Sequence, residues 1–211
     1  MLIVVSRVLC YALAFLAAIT TLFLGYWHMD AQSQLESDID SIPDLVGGGE
    51  GEYAIYENAT YGVRMEYPKS WVFEEGENTS DNPMEVVYFY NDADEDSFKG
   101  DLAISIERLD RSRTMQDYFQ KTVKEYQNNV DGFKLDSSSW DTLGGFRAYS
   151  MLYSEDYNST TNLKTLEVGA IRDNIVYFIE YFAFDKEFDE NFPIARKMID
   201  SFQFINAPSQ T

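Results

Sequence analysis

The run Ile175-Val176-Tyr177-Phe178-Ile179-Glu180-Tyr181-Phe182-Ala183-Phe184 constrains this chain more than any other stretch of it. Successive strand residues point to opposite faces, and here both faces are apolar except at Glu180. A strand of that kind is central in its sheet and needs a layer of structure above it and another below. The pair Asp173-Asn174, just before it, predicts a two-residue hairpin turn to the preceding strand, Leu163–Arg172. A carboxylate at Glu180, if buried there, has a raised pKa, and its ordinary partner would be a nearby arginine or the solvent at a strand end.

Further strands are predicted at Val63–Tyr67, stopped by Pro68, and at Trp71–Glu75, Glu85–Tyr90, Phe133–Asp136 and Phe146–Ser154. Leu102, Ile104 and Ile106 alternate with Ala103, Ser105 and Glu107, which marks one more. Between these the period changes. Met115, Tyr118, Phe119, Val123 and Tyr126 fall at helical spacing, with Thr114 and Asp117 as an N-terminal cap and Asp131-Gly132 as the end. A last helix, Phe192 to Phe202, carries Ile194, Ala195, Met198 and Ile199 on one side. The expected fold is α+β, a largely antiparallel sheet sandwiched between two helices. A pure β-sandwich is the alternative, but it leaves both patterned helices without a place.

Ahead of this domain, Val8 to Trp27 runs for 20 residues without a charge. A helix of that length is about 30 Å long, the thickness of a bilayer's hydrocarbon core. Arg7 precedes the span and the next basic residue is Arg64, so the positive-inside rule places the N-terminus in the cytoplasm and the domain outside. A cleaved signal peptide is the competing reading; it gives the domain the same address without the attachment. Residues 1–29 are thus a cytoplasmic stub and transmembrane signal anchor, 30–52 an acidic linker with Pro43 and three consecutive glycines, 53–206 the extracytoplasmic domain and 207–211 a tail.

The chain carries 36 acidic and 16 basic residues, a formal net charge of −20. That excludes nucleic acid as a partner and predicts an acidic surface without a basic docking face. The single cysteine, Cys10, and single histidine, His28, lie in or beside the predicted span. Cys–His and Ser–His–Asp chemistry is therefore excluded from the domain, as is a disulfide within the chain. Three N-x-S/T sequons, at Asn58, Asn78 and Asn158, fall in predicted turns on the outer side and are glycosylation candidates. Asp92, Asp94 and Asp96 alternate as calcium-loop ligands do, which makes them the candidate metal residues. They depart from an EF-hand at Ser97, where glycine belongs, and at Ala103, where a bidentate glutamate belongs.

Three motifs suggest a family. Tyr61-Gly62-Val63-Arg64-Met65-Glu66-Tyr67-Pro68-Lys69-Ser70-Trp71 resembles the opening of PsbP-like domains, related to an extrinsic protein of photosystem II. Leu143-Gly144-Gly145-Phe146-Arg147-Ala148-Tyr149 is similar to their middle strand entry, and Ala195-Arg196-Lys197-Met198-Ile199-Asp200-Ser201-Phe202 to their closing helix. The resemblance spans Tyr53–Ile205. It implies an α/β/α sandwich used as a non-catalytic accessory module; family members associate with membrane complexes, assist assembly or retain calcium and chloride. With its own anchor, this chain resembles a membrane-tethered, non-photosynthetic relative. The expectation is a protein that holds the bilayer through its N-terminal helix and meets a membrane or envelope protein partner through its domain; the alternative is a domain that binds calcium weakly or a small ligand.

Overall fold

The computed structural model describes residues 52–76, 82–91 and 100–205. The predicted span Val8 to Trp27, most of the linker, the tail, Asn78, and Asp92, Asp94 and Asp96 lie outside them. Among the described residues no helix is long and apolar enough to cross a membrane.

The described residues form ten strands and two helices in the order β1 (Tyr53–Asn58), β2 (Val63–Pro68), β3 (Trp71–Glu75), β4 (Met84–Asn91), β5 (Asp101–Arg108), α1 (Met115–Asn129), β6 (Lys134–Leu143), β7 (Phe146–Asn158), β8 (Thr161–Arg172), β9 (Ile175–Phe184), α2 (Phe188–Ser201) and β10 (Gln203–Phe204). Seven strands form one sheet in the order β3-β4-β5-β9-β8-β7-β6, and β1-β2-β10 form a second. Every pairing is antiparallel. The doubly apolar strand β9 sits fourth of seven, as its pattern requires.

Two cores lie on opposite faces of β9. Tyr177, Ile179, Tyr181 and Ala183 point into a large apolar core that Phe89, Leu102 and Ile104 share with Ala195, Met198 and Ile199 of α2. Val176 and Phe178 point the other way, into a smaller core with Tyr118 and Tyr126 of α1. The expected sheet between helices is present, with one addition. Tyr56 of β1 and Val63 and Met65 of β2 help close the α2 side, so that layer is a helix plus a small sheet.

Local chemistry accounts for most boundaries. Asp173 and Asn174 both have positive φ, 51° and 63°, the conformation of a type I′ hairpin turn. The Thr114 hydroxyl accepts a hydrogen bond from the Asp117 N–H and caps α1. Two expectations needed extension. The strand expected at Phe133–Asp136 continues as β6 to Leu143, because its mostly exposed serines pair with β7 through backbone groups that leave no hydrophobic pattern. Helix α2 starts four residues before Phe192 and holds Pro193 in its second turn, where the acidic Asp189 and Glu190 of the first turn suit the helix dipole.

Candidate functional site

The α1 side of the large sheet gathers buried carboxylates and tyrosines beside its smaller apolar core. Alternation along each strand turns Asp101 and Glu107 of β5, Glu180 of β9, Glu167 of β8 and Glu155 of β7 toward this side. Glu180 is 3% exposed and stands directly across the β8–β9 ladder from Glu167, which is fully buried. The cross-strand neighbour of the expected carboxylate is thus a second carboxylate.

Tyrosines supply the donors. Glu167 accepts hydrogen bonds from the hydroxyls of Tyr149 and Tyr126, the latter at 2.9 Å. Tyr118 donates to Glu107 at 2.6 Å, and Tyr88 donates to Asp101. Helix α1 is therefore fastened to the sheet by Tyr118 and Tyr126, one helical face apart by eight residues. A buried carboxylate needs such partners, since an unpaired one in an apolar site is costly.

Burial also moves the protons. It pushes Asp101 up to about 7, against the hydrogen bond from Tyr88, which pulls the other way. Burial alone pushes Glu155 up to about 7, and its Oε2 has no hydrogen-bond partner. Glu85, on the same side of β4, rises to about 7 through burial and through the neighbouring Glu74. The Tyr153 hydroxyl is fully buried beside Thr165. Burial raises it well above the ordinary tyrosine value, and Glu180, Glu167 and Glu155 add to the rise, with Thr165 acting the other way.

Among the described residues there is no histidine or cysteine, and no three carboxylates converge on a point that could hold a metal ion. Two grooves lie on the α2 side. One of about 380 Å³ runs beside the Gly144-Gly145 turn, over Phe202, Gln203 and Phe204. The other, about 290 Å³, is lined by Ser137, Ser139 and Ser150, with Lys164 and Arg196 at its margin. Lys164 pairs with Asp189, and Arg196 with Asp141 and Asp200.

The two described sequon asparagines are the last residues of β1 and β7, each folded back onto the turn that follows. Asn58 Oδ1 accepts from the N–H groups of Thr60 and Tyr61, while its amide donates to Tyr56 and Glu75. Asn158 Oδ1 accepts from the backbone and hydroxyl of Thr160. Arg108, Arg111, Arg113, Arg147 and Arg172 collect at one end of the sheet, where the β6–β7 and β8–β9 turns meet the loop before α1.

Glu167 was missed as a partner of Glu180, although a signal for it exists. A two-residue turn at Asp173-Asn174 pairs Arg172 with Ile175, and counting outward sets Glu167 opposite Glu180. Glu155 and Asp101 carry no comparable mark, because their burial depends on what α1 and the chain around it cover.

No family model and no curated protein matches the sequence. Solved structures do match the fold. CyanoP, the cyanobacterial PsbP of Synechocystis sp. PCC 6803, is 17% identical with a TM-score of 0.53, over 77% of this chain and 98% of that one. LpqN of Mycobacterium tuberculosis, described as involved in cell envelope biogenesis, is 16% identical with a TM-score of 0.50, over 75% of this chain and 87% of its own. The Ran-binding protein Mog1p of Saccharomyces cerevisiae is 10% identical with a TM-score of 0.50, over 73% of this chain and 96% of its own. The fold is PsbP-like. At these identities the likeness speaks to the fold alone.

Proposed function

We propose that this chain is a membrane-tethered, extracytoplasmic accessory module that works by protein interaction in the assembly of a membrane or envelope complex, and not by catalysis. The observation that carries this reading is the placement of its ionisable groups. Glu107 and Glu167 are taken up by tyrosines of α1 and β7, and the carboxyls raised to about 7, Asp101, Glu155 and Glu85, line neither of the two grooves. Sharing a fold with CyanoP and LpqN supports it as analogy. The uncharged run Val8 to Trp27 and the Arg7 flank support the tether and its direction.

The test is cross-linking of the full chain in its native membrane, followed by purification in mild detergent. A defined membrane or envelope protein recovered in stoichiometric amount is the expected result. Repeated recovery of a lone monomer overturns the reading.

A further inference from the structure

The arginine end has a corner on its α2 side that none of the preceding chemistry uses. Arg108 and Arg172 flank Ile175 on the two strands next to β9, and both cations bear on the Tyr177 hydroxyl. The Arg172 guanidinium lies 5.0 Å from the centre of the Phe204 ring and 6.0 Å from that of Phe146. Those two rings meet edge to face at 5.1 Å, and Phe146 is 41% exposed. Phe204 also forms part of the floor of the 380 Å³ groove beside the Gly144-Gly145 turn.

Charge makes this corner unusual. Acidic residues outnumber basic ones 36 to 16, yet Arg108 is exposed and has no carboxylate partner among the described residues. Arg172 has Asp173 at 3.4 Å, a side chain 85% exposed and so only weakly bound. A guanidinium lying over a ring keeps its N–H edge free to take a carboxylate in a two-pronged bond. Arginine beside exposed aromatics is also the composition of interface hot spots.

We infer that this corner, formed by Arg108, Arg172, Phe146 and the adjoining groove, docks a short acidic segment of a partner protein. The segment's carboxylates lie on the two arginines, and an apolar side chain lies on Phe146 at the mouth of the groove. A flat anionic membrane fits less well. The outermost turns carry Asp173 and Asp110, whose side chains are 85% and 80% exposed, so such a surface meets carboxylates first. The net charge of −20 opposes a membrane and an acidic segment alike, but a narrow segment reaches the arginines from the side, past these turns. The inference rests on the accessory-module reading and names the chemistry of its partner.

The experiment uses the full-length chain in phosphatidylcholine nanodiscs. Its probe is a fluorescein-labelled twelve-residue peptide of aspartate and glutamate with one central phenylalanine, read by anisotropy. Binding is expected to fall with added salt, to weaken at least ~10-fold in Arg108→Glu/Arg172→Glu and several-fold in Phe146→Ala. The milder Arg108→Gln/Arg172→Gln pair, with an unchanged melting temperature, should show the same direction. Lys121→Glu/Lys124→Glu makes an equal change in net charge on α1 and should leave binding as it was. Equal binding by all variants overturns the inference. So does phosphatidylglycerol-vesicle binding that needs Arg108 and Arg172 while the peptide fails to bind. Native cross-links to a partner that avoid this corner overturn it too but leave the accessory-module reading standing, whereas the absence of any partner overturns both.

Discussion

Along β5 and β9, neighbouring residues belong to two different chemistries. Leu102, Ile104, Ile179 and Tyr181 face the α2 side and pack with Phe89, Met65 and Met198 into an apolar core. Asp101, Ser105 and Glu180, each one position away, face the α1 side and are just as buried. One sheet thus has a face held by hydrophobic burial and another where tyrosine–carboxylate hydrogen bonds join a smaller apolar core. Stabilisation from the first depends on area and packing. Stabilisation from the second depends on geometry and on whether the carboxyls carry protons. The difference teaches that the α2 side depends on packing alone, while the α1 side also carries buried carboxyls, Asp101 and Glu155 among them, whose protonation changes with pH.

The hardest way to break this contrast is to hollow out the apolar side. Phe89 is fully buried and makes ring contacts with Tyr56, Tyr67 and Phe73. Phe89→Ala should cost about 4 kcal/mol in urea unfolding, by the same amount at pH 5 and pH 8. A marked pH dependence of that loss would contradict the division of labour.

The next largest effect belongs to the other face. Glu155 has its pKa raised from 4.5 to about 7, so the folded state binds its proton more tightly than the unfolded chain does. Its contribution is therefore complete below about 4.5 and is lost as pH rises to about 7. Glu155→Gln removes that loss and should be more stable than the parent by about 3 kcal/mol at pH 8, and nearly equal to it at pH 4. Asp101 and Glu85 have the same sign, so the parent's melting temperature should fall from pH 5 to pH 8. A melting temperature that rises over this interval would remove the basis for a proton-dependent face.

Tyr126→Phe tests the fastening of α1 more gently. It deletes the donor at 2.9 Å from Glu167, and should cost about 1–3 kcal/mol and speed amide exchange in α1 more than in α2. Thr114→Ala, which removes the α1 cap, should cost about 1 kcal/mol with exchange faster only in the first turn. Equal speeding of exchange in both helices by either variant would mean that the two faces unfold as one unit.

Much of the architecture was legible in the residues. The doubly apolar β9, the Asp173-Asn174 turn and the Thr114 cap are each decided by local stereochemistry, so periodicity and turn residues were enough to find them. The sheet formed by β1, β2 and β10 was not legible, because a two-residue strand such as β10 exists only through its partner. The site was less legible than the fold. Glu180 stood out as the one charge in an apolar strand, while Glu155 and Asp101 sit in segments that read as ordinary half-polar strands. The five arginines at one end come from separate segments, and a composition of 36 acids to 16 bases averages them away.

What the sequence by itself determined is a central strand that must be covered on both sides, two helices able to cover it, and a hairpin whose register is set by its turn. These follow from backbone sterics and side-chain alternation, which act over a few residues. Only the tertiary structure decided that one face would be apolar and that the other would bury acids among its apolar residues. Burial of a carboxyl, and so its pKa, is set by neighbours far away in the chain, and pairing distant arginines at one end requires the sheet to exist first.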